Sequence, residues 1–462
     1  MALKFGTSGL RGLVTEMTPA QVARYTRAFL AGCAGPDTLY VGRDLRGASP
    51  RIAGDVMAAA RQAGCRAIDA GAVPTPALAL RAMGQGAAAV MVTGSHIPAD
   101  RNGLKFYTAT GEITKSAEQA ILAAYEADPA GLAHEGGATG PAPVTDEAVG
   151  ARYVARYIQA FGGRALQGRR IGLYSHSAVG RDLVADVLRQ LGADVIELGR
   201  SEHFIPVDTE AVDAATRAQI TQWVRSQALD ALVSTDGDSD RPLLADEQGQ
   251  IVPGDIMGQI AAQGLGADCV VTPVSSNSGV MQKGFERVVQ TRIGSPFVIA
   301  AMQEVPGRVV GYEANGGFLL GFEAQGPAGV LPALMTRDAV LPLVAVLASV
   351  GDRPLSQRVA AEPPVFTAAD RLQEVPQPRM QAFVKALAEE TAARRAFLQT
   401  LGGQEAGCDL TDGVRMRLQD GCVVHVRPSG NAPELRLYTE AGSRAAADAL
   451  LVAGLMALEQ AL

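Results

Sequence analysis

The sequence predicts an α/β fold in which three similar units precede a C-terminal α+β unit. The chain has 462 residues, more than one hydrophobic core usually supports, so several domains are expected. Short apolar runs alternate with alanine-rich segments in three successive stretches, and this β-α-β order is typical of parallel or mixed sheets covered by helices. The last hundred residues or so differ from this pattern, which indicates a different kind of unit at the C-terminus.

Each of the three stretches contains three predicted strands. The first has strands Thr38–Val41, Arg66–Ala70 and Ala87–Thr93, with a helix at Ile52–Ala63. The second has strands Arg170–Tyr174, Asp194–Leu198 and Ala231–Thr235, with helices at Leu183–Leu191 and Ala214–Arg225. The third has strands Cys269–Pro273, Val288–Thr291 and Arg308–Tyr312.

A polar, glycine-containing loop follows the third strand of each stretch, near Ser95, Asp236 and Glu313. Ligands in open α/β sheets collect at the carboxyl ends of strands, so the three loops are predicted to face one central cleft. The segment Ala127–Thr145 is rich in glycine, alanine and proline and is predicted to be a linker. The C-terminal unit is predicted to contain a helix at Met380–Leu398, strands at Gly413–Arg417, Gly421–Arg427 and Leu435–Thr439, and a final helix at Arg444–Leu462.

Composition and charge argue against several classes of function. The net charge is −7 and no block of consecutive lysines or arginines occurs, which argues against a nucleic-acid partner and a polybasic membrane patch. No apolar run reaches the roughly 18 residues that a membrane span needs, and the N-terminus has no apolar signal core. The five cysteines form no C-x-x-C pair, which is typical of free thiols in a reducing compartment. The predicted location is therefore the cytoplasm.

The strongest local signal is the acidic loop Asp236-Gly237-Asp238-Ser239-Asp240, which follows a predicted apolar strand. Carboxylates at alternate positions can surround one hard cation, and Mg²⁺ is the favoured interpretation. An EF-hand calcium loop needs glycine at the sixth position, where this sequence has Arg241. A phosphatase of the haloacid dehalogenase type would use Asp236 as its nucleophile, but Asp240 replaces the fifth residue of that motif. A solvated acidic turn is a further alternative, although aspartates this close repel one another unless a cation compensates.

A second loop, Thr93-Gly94-Ser95-His96-Ile97-Pro98, places a serine between glycine and histidine after a predicted buried strand. That position can expose the hydroxyl, but a serine taken alone is more typical of a turn or a helix cap. The esterase motif G-x-S-x-G does not fit, because Thr93 and Ile97 replace its glycines. Lys105, just downstream, would in isolation be a surface lysine.

Two further loops carry side chains suited to a sugar phosphate. The segment Arg427-Pro428-Ser429-Gly430-Asn431 combines an arginine, a hydroxyl and backbone amides around glycine, which suit a phosphate monoester. An ordinary turn between two strands is the alternative. Glu313 and Asn315 lie in a glycine-rich turn and suit two sugar hydroxyls, although this signal is weak by itself.

Taken in chain order, these motifs resemble those of the α-D-phosphohexomutase superfamily, the phosphomannomutase/phosphoglucomutase and phosphoglucosamine mutase enzymes. The opening Phe5–Gly12 matches the family's F-G-T-x-G-x-R-G, and Thr93–Pro98 and Asp236–Arg241 match its phosphoserine and metal loops. Gly311–Gly317 stands in the place of its sugar-recognition loop, and Arg427–Pro433 is similar to its phosphate loop. The resemblance covers essentially the whole chain.

The resemblance implies four domains around a central cleft and a mutase reaction. The expected domains are a phosphoserine domain (1–145), a metal-binding domain (146–246), a sugar-recognition domain (247–362) and a C-terminal phosphate-binding domain (363–462). The implied reaction interconverts hexose 1-phosphate and hexose 6-phosphate through phosphoserine and a hexose 1,6-bisphosphate, with mannose as the leading sugar and glucose as a further one. The alternatives are a phosphoglucosamine mutase, a metal-dependent sugar phosphatase and a non-catalytic sugar-phosphate sensor.

The resemblance also implies roles for the catalytic and metal-binding residues. Ser95 is the expected phosphorylated nucleophile, and it shares Mg²⁺ with Asp236, Asp238 and Asp240. Lys105 is the expected general acid or base, and it could accept the proton of the attacking hydroxyl if burial and neighbouring cations lowered its pKa. Arg11 and Arg241 are expected to position the transferring group. His96 is expected either to orient these groups or to be a structural histidine.

The substrate-binding residues follow from the same resemblance. Those expected to bind sugar hydroxyls are Glu313 and Asn315, and those expected to hold the phosphate that is not transferred are Arg427, Ser429 and Asn431, with Arg292 as a further phosphate contact. Three departures leave the sugar specificity open. Ile97 stands where asparagine is common, Gly311–Phe318 lacks the usual S-G-H ending, and residues 292–295 replace a frequent Gly-His pair.

Overall fold

The computed structural model describes residues 3–6, 8–34, 37–128, 142–429 and 434–462. The chain divides into two compact units, a first unit (Met1–Val270 and Gly294–Val359) and a second unit (Val271–Ile293 and Ala360–Leu462). The predicted linker Ala127–Thr145 lies mostly outside the described residues. Among the helices of the described residues, none combines the length and apolarity needed to cross a lipid bilayer.

The first unit begins with an eight-stranded sheet. Its strands are β1 (Lys4–Phe5), β2 (Leu10–Leu13), β3 (Thr38–Arg43), β4 (Arg66–Ala72), β5 (Ala88–Val92), β6 (Arg101–Thr108), β7 (Gly111–Glu112) and β8 (Val144–Thr145). Its helices are α1 (Pro19–Phe29), followed by a π-helical segment (Leu30–Ala34), α2 (Ser49–Gln62), α3 (Thr75–Met83) and α4 (Lys115–Ala127).

Strand β5 is the centre of this sheet. The strand order is β1-β2-β6-β5-β3-β4-β8, and β7 pairs with β6. Strands β3, β4 and β5 are parallel, whereas β6 runs antiparallel to β5. Every residue of β5 is buried, as expected for a strand covered on both faces, and the predicted phosphoserine loop begins where β5 ends.

A second sheet follows in the same unit and repeats this order. Its strands are β9 (Arg170–Tyr174), β10 (Asp194–Leu198), β11 (Ala231–Thr235), β12 (Pro242–Asp246) and β13 (Ile251–Val252), and its helices are α5 (Ala148–Phe161), α6 (Arg181–Gln190) and α7 (Ala214–Ser226). The order β10-β9-β11-β12 has the same pattern as β4-β3-β5-β6, with the last strand antiparallel in both cases. The loops after β5 and β11 therefore occupy equivalent places in two similar sheets.

The rest of the first unit carries a third group of helices and strands. Its elements are α8 (Gly254–Gly264), α9 (Ser295–Glu304), β16 (Val309–Tyr312), β17 (Phe318–Leu320), β18 (Ala324–Gln325), β19 (Val330–Leu331), β20 (Leu334–Asp338) and α10 (Val340–Ser349). Strand β17 lies between β16 and β20 and is antiparallel to both. Two elements cross the division between the units: β14 (Cys269–Pro273) and α11 (Leu355–Ala360).

The second unit is built on a five-stranded antiparallel sheet. The strands of this unit are β15 (Arg287–Thr291), β21 (Phe366–Leu372), β22 (Glu405–Asp409), β23 (Val414–Leu418), β24 (Val423–Pro428) and β25 (Leu435–Ala441). The sheet has the order β21-β25-β24-β23-β22. The helices are a 3₁₀ helix (Ser278–Gln282), α12 (Gln377–Glu389), α13 (Thr391–Thr400) and α14 (Arg444–Ala461).

The α/β fold predicted from the sequence is confirmed, with one error in the C-terminal unit. A single helix was predicted at Met380–Leu398, but the structure has two, because Glu390 leaves the helical conformation at φ −113° and ψ 109°. The edge strands β21 and β22 were not predicted. Their residues are mostly half-buried or exposed, so they lack the apolar runs that marked the other strands.

Candidate active site

Ser95 lies three residues beyond the end of β5, with its hydroxyl pointed at the acidic loop. Its backbone φ is 54°, a left-handed conformation that residues other than glycine rarely adopt. The Ser95 amide donates to Thr93 Oγ1 at 2.8 Å. Its Oγ donates to Asp236 Oδ2 at 2.5 Å, and the residue is fully buried. The loops after β5 and β11 thus meet at this hydroxyl.

The acidic loop folds back on itself. Asp236 Oδ1 accepts hydrogen bonds from the backbone amides of Asp240 and Arg241, each at 3.2 Å. Ser239 takes a left-handed φ of 58°, and its amide donates to the Asp236 carbonyl at 3.1 Å. As a result, carboxylate oxygens of Asp236, Asp238 and Asp240 lie within 4.8 Å of one another, and all three residues are buried.

The carboxylate cluster suits a metal ion. Within the described part of the chain, Asp238 Oδ1 and Asp240 Oδ1 are buried without a hydrogen-bond partner. Burial raises the pKa of Asp236 well above its ordinary value, and the charges of Asp238 and Asp240 raise it further. A cation would relieve this repulsion and satisfy both oxygens. Buried oxygen donors of this kind fit a hard divalent cation.

Lys105 contacts the same carboxylates. Its Nζ donates to Asp238 Oδ2 at 2.5 Å and to Asp240 Oδ2 at 2.6 Å. A lowered pKa, the condition under which Lys105 would act as a base, is not met in this arrangement. Burial does lower it, but Asp238 and Asp240 together have the larger effect, so the pKa is raised. Lys105 is therefore a protonated cation here, and it is not the surface lysine that its position in the sequence alone would suggest.

His96 and Arg241 approach the Ser95 hydroxyl, and Arg11 interacts electrostatically with both of them. Arg241 Nη1 donates to His96 Nδ1 at 3.1 Å, and that ring nitrogen is 3.4 Å from Ser95 Oγ. Burial and the Arg241 charge lower the pKa of His96 to about 3, so the ring is neutral. Burial, followed by repulsion from Arg241 and Arg337, lowers the pKa of Arg11 to about 10. Guanidinium groups held this close to each other favour an anion beside Ser95.

Arg337, at the end of β20, joins the acidic loop to the predicted sugar loop. Its Nη2 lies 2.8 Å from Asp240 Oδ2, and its Nη1 lies 3.2 Å from Glu313 Oε2. In the same loop, Asn315 Oδ1 accepts from the Gly317 amide at 3.0 Å. Sequence reasoning missed Arg337, since it lies inside a strand and no motif marks it.

Three further residues that follow strands of the first sheet contact the loops of the site, and the sequence analysis did not identify them. Thr75 Oγ1 donates to Asp238 Oδ2 at 2.5 Å, and Asp44 Oδ2 accepts from Thr93 Oγ1 at 2.8 Å. Arg46 donates to the Ser95 carbonyl at 2.8 Å. Thr75 and Asp44 follow β4 and β3 at the same carboxyl edge as Ser95. The position at the carboxyl end of a strand, which identified Ser95 in the sequence, could also have identified Thr75 and Asp44.

The remaining predicted residues lie in the second unit. Arg427 Nε forms a salt bridge with Asp412 Oδ1 at 2.9 Å, and Arg292 Nε donates to the Thr411 carbonyl at 3.3 Å. The Ser429 amide donates to the Glu434 carbonyl at 2.8 Å. Arg292 and Arg427 thus contact neighbouring residues of one turn. Asn431 lies outside the described residues.

The first-unit site defines a class of protein. Phosphoryl transfer needs an aligned nucleophile and dense positive charge around the transferred group more than new covalent chemistry from the protein. A buried serine hydroxyl, an adjoining carboxylate cluster that fits a metal, and several guanidinium groups meet these needs. The fold and site are those of a phosphoryl-transfer enzyme.

Comparison with known families agrees with this class. Four family models match: phosphoglucomutase/phosphomannomutase alpha/beta/alpha domain I (residues 2–131), domain II (151–249), domain III (253–366) and the C-terminal domain (373–453). The chain therefore belongs to the phosphoglucomutase/phosphomannomutase family and is a phosphohexomutase, an intramolecular phosphotransferase. The domain boundaries expected at 145, 246 and 362 stay predictions.

Individual relatives are similar over nearly their full length. The chain is 45% identical to a phosphomannomutase of Sinorhizobium fredii over 479 residues, which covers 100% of each chain. It is 41% identical to a phosphomannomutase of Salmonella muenchen, with 96% of this chain and 92% of the relative covered. A solved structure of a putative phosphomannomutase from Thermus thermophilus is similar in fold, with a TM-score of 0.77, 22% identity and 99% of each chain covered.

Proposed function

We propose that this phosphohexomutase interconverts mannose 1-phosphate and mannose 6-phosphate through a phosphoserine at Ser95, and that it also accepts glucose phosphates. The observation that carries the role of Ser95 is its Oγ, 2.5 Å from Asp236 Oδ2. Support for mannose comes from the similarity to two phosphomannomutases. A cytoplasmic location stays the prediction from the sequence.

In the first step, a hydroxyl oxygen of the hexose monophosphate attacks the phosphorus of phosphoserine 95. The new O–P bond forms as the bond between phosphorus and Ser95 Oγ breaks, and the product is a hexose 1,6-bisphosphate. The attacking hydroxyl gives up its proton, and Ser95 Oγ takes up one proton as it leaves, so the number of protons is unchanged and Ser95 ends as a hydroxyl. Lys105, Arg11 and Arg241 supply positive charge around the transferred group.

The second step reverses the first on the other end of the sugar. The bisphosphate turns over, Ser95 Oγ attacks its other phosphate, and the serine regains a phosphoryl group. The phosphate that is not transferred needs a site that accepts it in both orientations. We propose that this phosphate-binding site consists of Arg427, Ser429 and Asn431, with Arg292. Guanidinium and amide donors suit it because they bind the phosphate and not the sugar. Glu313 and Asn315 are proposed to bind sugar hydroxyls.

Asp236, Asp238 and Asp240 are proposed to hold Mg²⁺ together with a phosphate oxygen on Ser95. The support is their buried oxygen donors, two of which have no hydrogen-bond partner among the described residues. The bound ion supplies charge neutralisation for the transferred phosphate. The protein's own part is to keep the three carboxylates together, with Lys105 and Arg337 balancing their charge.

Coupled assays on mannose 1-phosphate, glucose 1-phosphate and glucosamine 1-phosphate test this proposal. We expect the highest kcat/KM with mannose 1-phosphate, a lower value with glucose 1-phosphate, and no net release of inorganic phosphate. Predominant turnover of glucosamine 1-phosphate would make the chain a phosphoglucosamine mutase. Stoichiometric release of inorganic phosphate would make it a phosphatase instead.

A further inference from the structure

Arg46 lies directly beneath the phosphoserine loop and binds it through backbone carbonyls. Its Nη2 donates to the carbonyls of Ser95 at 2.8 Å and Ile97 at 2.6 Å. Its Nη1 donates to the carbonyls of Pro98 at 2.7 Å and Arg101 at 3.1 Å. One guanidinium group therefore holds four carbonyls of the chain that runs from Ser95 into β6.

Asp44 completes this arrangement. Arg46 Nε donates to Asp44 Oδ2 at 3.1 Å, and each residue is only 1% exposed. The same carboxylate oxygen accepts from Thr93 Oγ1 at 2.8 Å, and Thr93 Oγ1 accepts from the Ser95 amide at 2.8 Å. The Ser95 amide and the Ser95 carbonyl are thus both tied to Asp44, one through Thr93 and the other through Arg46.

Phe204 covers the Arg46 guanidinium group, and the acidic loop packs against Phe204 and Ser95. The Arg46 guanidinium carbon lies 3.9 Å from the centre of the Phe204 ring, a cation–π contact. A Cβ at Gly94 would lie 2.7 Å from that guanidinium carbon. A Cβ at Gly237 would lie 2.7 Å from the Ser95 carbonyl oxygen and 2.9 Å from the Phe204 ring. Glycine at position 94 therefore lets Arg46 pack against the phosphoserine loop, and glycine at position 237 lets the acidic loop approach the Ser95 carbonyl and Phe204.

Arg46 has no donor left for a substrate. A guanidinium group has five N–H donors, and the Arg46 contacts with Asp44 and with four carbonyls use all of them. A residue that bound the sugar phosphate would need a free donor in the site. The donors of Arg46 are therefore all used by Asp44 and by the backbone between Ser95 and Arg101.

We propose that Arg46, with Asp44 and Phe204, is the positioning group that holds Ser95 in its left-handed conformation and so aims Oγ at the acidic loop. The rate of phosphoryl transfer depends on this alignment, whereas substrate affinity does not. The inference rests on the proposed function of Ser95 as the phosphorylated nucleophile. A buried ion pair with a purely structural role would affect folding but not the rate per folded molecule.

The test compares Arg46→Lys with Arg51→Lys, both measured per folded molecule below the unfolding transition. Lysine keeps the charge beside Asp44, but its three donors cannot hold four carbonyls and a carboxylate. We expect kcat to fall about 10- to 100-fold, since a misplacement of about 1 Å can cost that much, while KM changes less than about threefold. Arg51 is partly exposed and pairs with Asp55, so Arg51→Lys should keep the wild-type kcat.

A second variant, Phe204→Leu, keeps an apolar cover over Arg46 but removes the aromatic face. We expect kcat about 3- to 10-fold lower with KM unchanged, and this variant decides the matter if Arg46→Lys does not fold. Wild-type kcat in a folded Arg46→Lys, wild-type kcat in Phe204→Leu, or a raised KM with unchanged kcat overturns the positioning role alone. A wild-type protein that turns over substrate without phosphate on Ser95 overturns the proposed function, and this inference with it.

Discussion

At the scale of single residues, the site balances three buried aspartates with nearby cations. Lys105 and Arg337 both contact Asp240, and Arg337 also contacts Glu313. Burial would raise the pKa of Asp240, but Arg337 and then Lys105 lower it well below its ordinary value. Asp240 is therefore ionised and available to a cation, although it is almost fully buried.

Replacing Arg337 with methionine should be costly. Arg337→Met leaves Asp240 and Glu313 buried with one partner fewer, and breaking a buried pair in this way costs about 3–5 kcal/mol. The measurement is urea unfolding followed by the fluorescence of Trp223, the single tryptophan, which lies in the first unit. Arg308→Met is the control, since Arg308 and Asp268 form an exposed pair. Equal unfolding midpoints for both variants would contradict this account of Arg337.

The sequence identified those site residues that lie in loops directly after predicted strands. Ser95 and the three aspartates were found because each loop follows an apolar strand. Arg337 and Arg46 were not identified, because their roles depend on contacts with residues that are distant in the sequence. Arg337 and Asp240, for example, are 97 positions apart. The raised pKa of Lys105 could not be inferred from the sequence, because its partners, Asp238 and Asp240, lie 133 and 135 positions away.

At the scale of secondary-structure elements, strand β24 combines a buried histidine with the proposed phosphate loop. His425 is 1% exposed, and its Nε2 donates to the Asp412 carbonyl at 2.6 Å. Burial lowers the pKa of His425 to about 4, although the hydrogen bond to Asp412 opposes this shift. The folded second unit thus keeps this ring neutral.

The stability of the second unit should depend on pH through His425. Between about pH 6.5 and pH 4 the unfolded chain binds a proton at this residue and the folded chain does not, so stability falls as the pH falls. The whole effect is about 3 kcal/mol. His425→Gln keeps a donor for Asp412 and should flatten the dependence of the unfolding midpoint on pH between about 7 and about 4.5. The control variant His203→Gln, at an exposed position, should leave the pH dependence of the unfolding midpoint unchanged. Parallel plots of the unfolding midpoint against pH for the wild type and His425→Gln would contradict the prediction.

Strand boundaries were the most predictable part of the elements, since β9, β10, β11 and β14 begin and end at the residues predicted for them. The break between α12 and α13 was not predictable. The sequence from α12 through α13 is rich in helix-forming residues, and the interruption at Glu390 is a single backbone conformation. Neither helix propensity nor hydrophobic periodicity marks that position.

At the scale of the whole molecule, two sheets with the same strand order bring their third-strand loops to one site within the first unit. The repeat was predicted from the alternation of strands and helices, and the family match agrees with it. What the sequence did not provide is the contact itself: the left-handed turns at Ser95 and Ser239 and the glycines that let the loops touch. These depend on atoms from both sheets at once.

Ser95 is proposed to carry the phosphoryl group during turnover. The most direct measurement is intact mass with peptide mapping, after incubation with a hexose 1,6-bisphosphate and then with excess hexose monophosphate. In the wild-type protein, we expect one phosphoryl group on Ser95, and we expect it to be transferred to the monophosphate. The Ser95→Ala variant should carry no phosphoryl group. The control variant Ser116→Ala, which changes an exposed serine of α4, should behave like the wild type. Phosphate found on Asp236 instead, or undiminished mutase turnover by Ser95→Ala, would contradict the account.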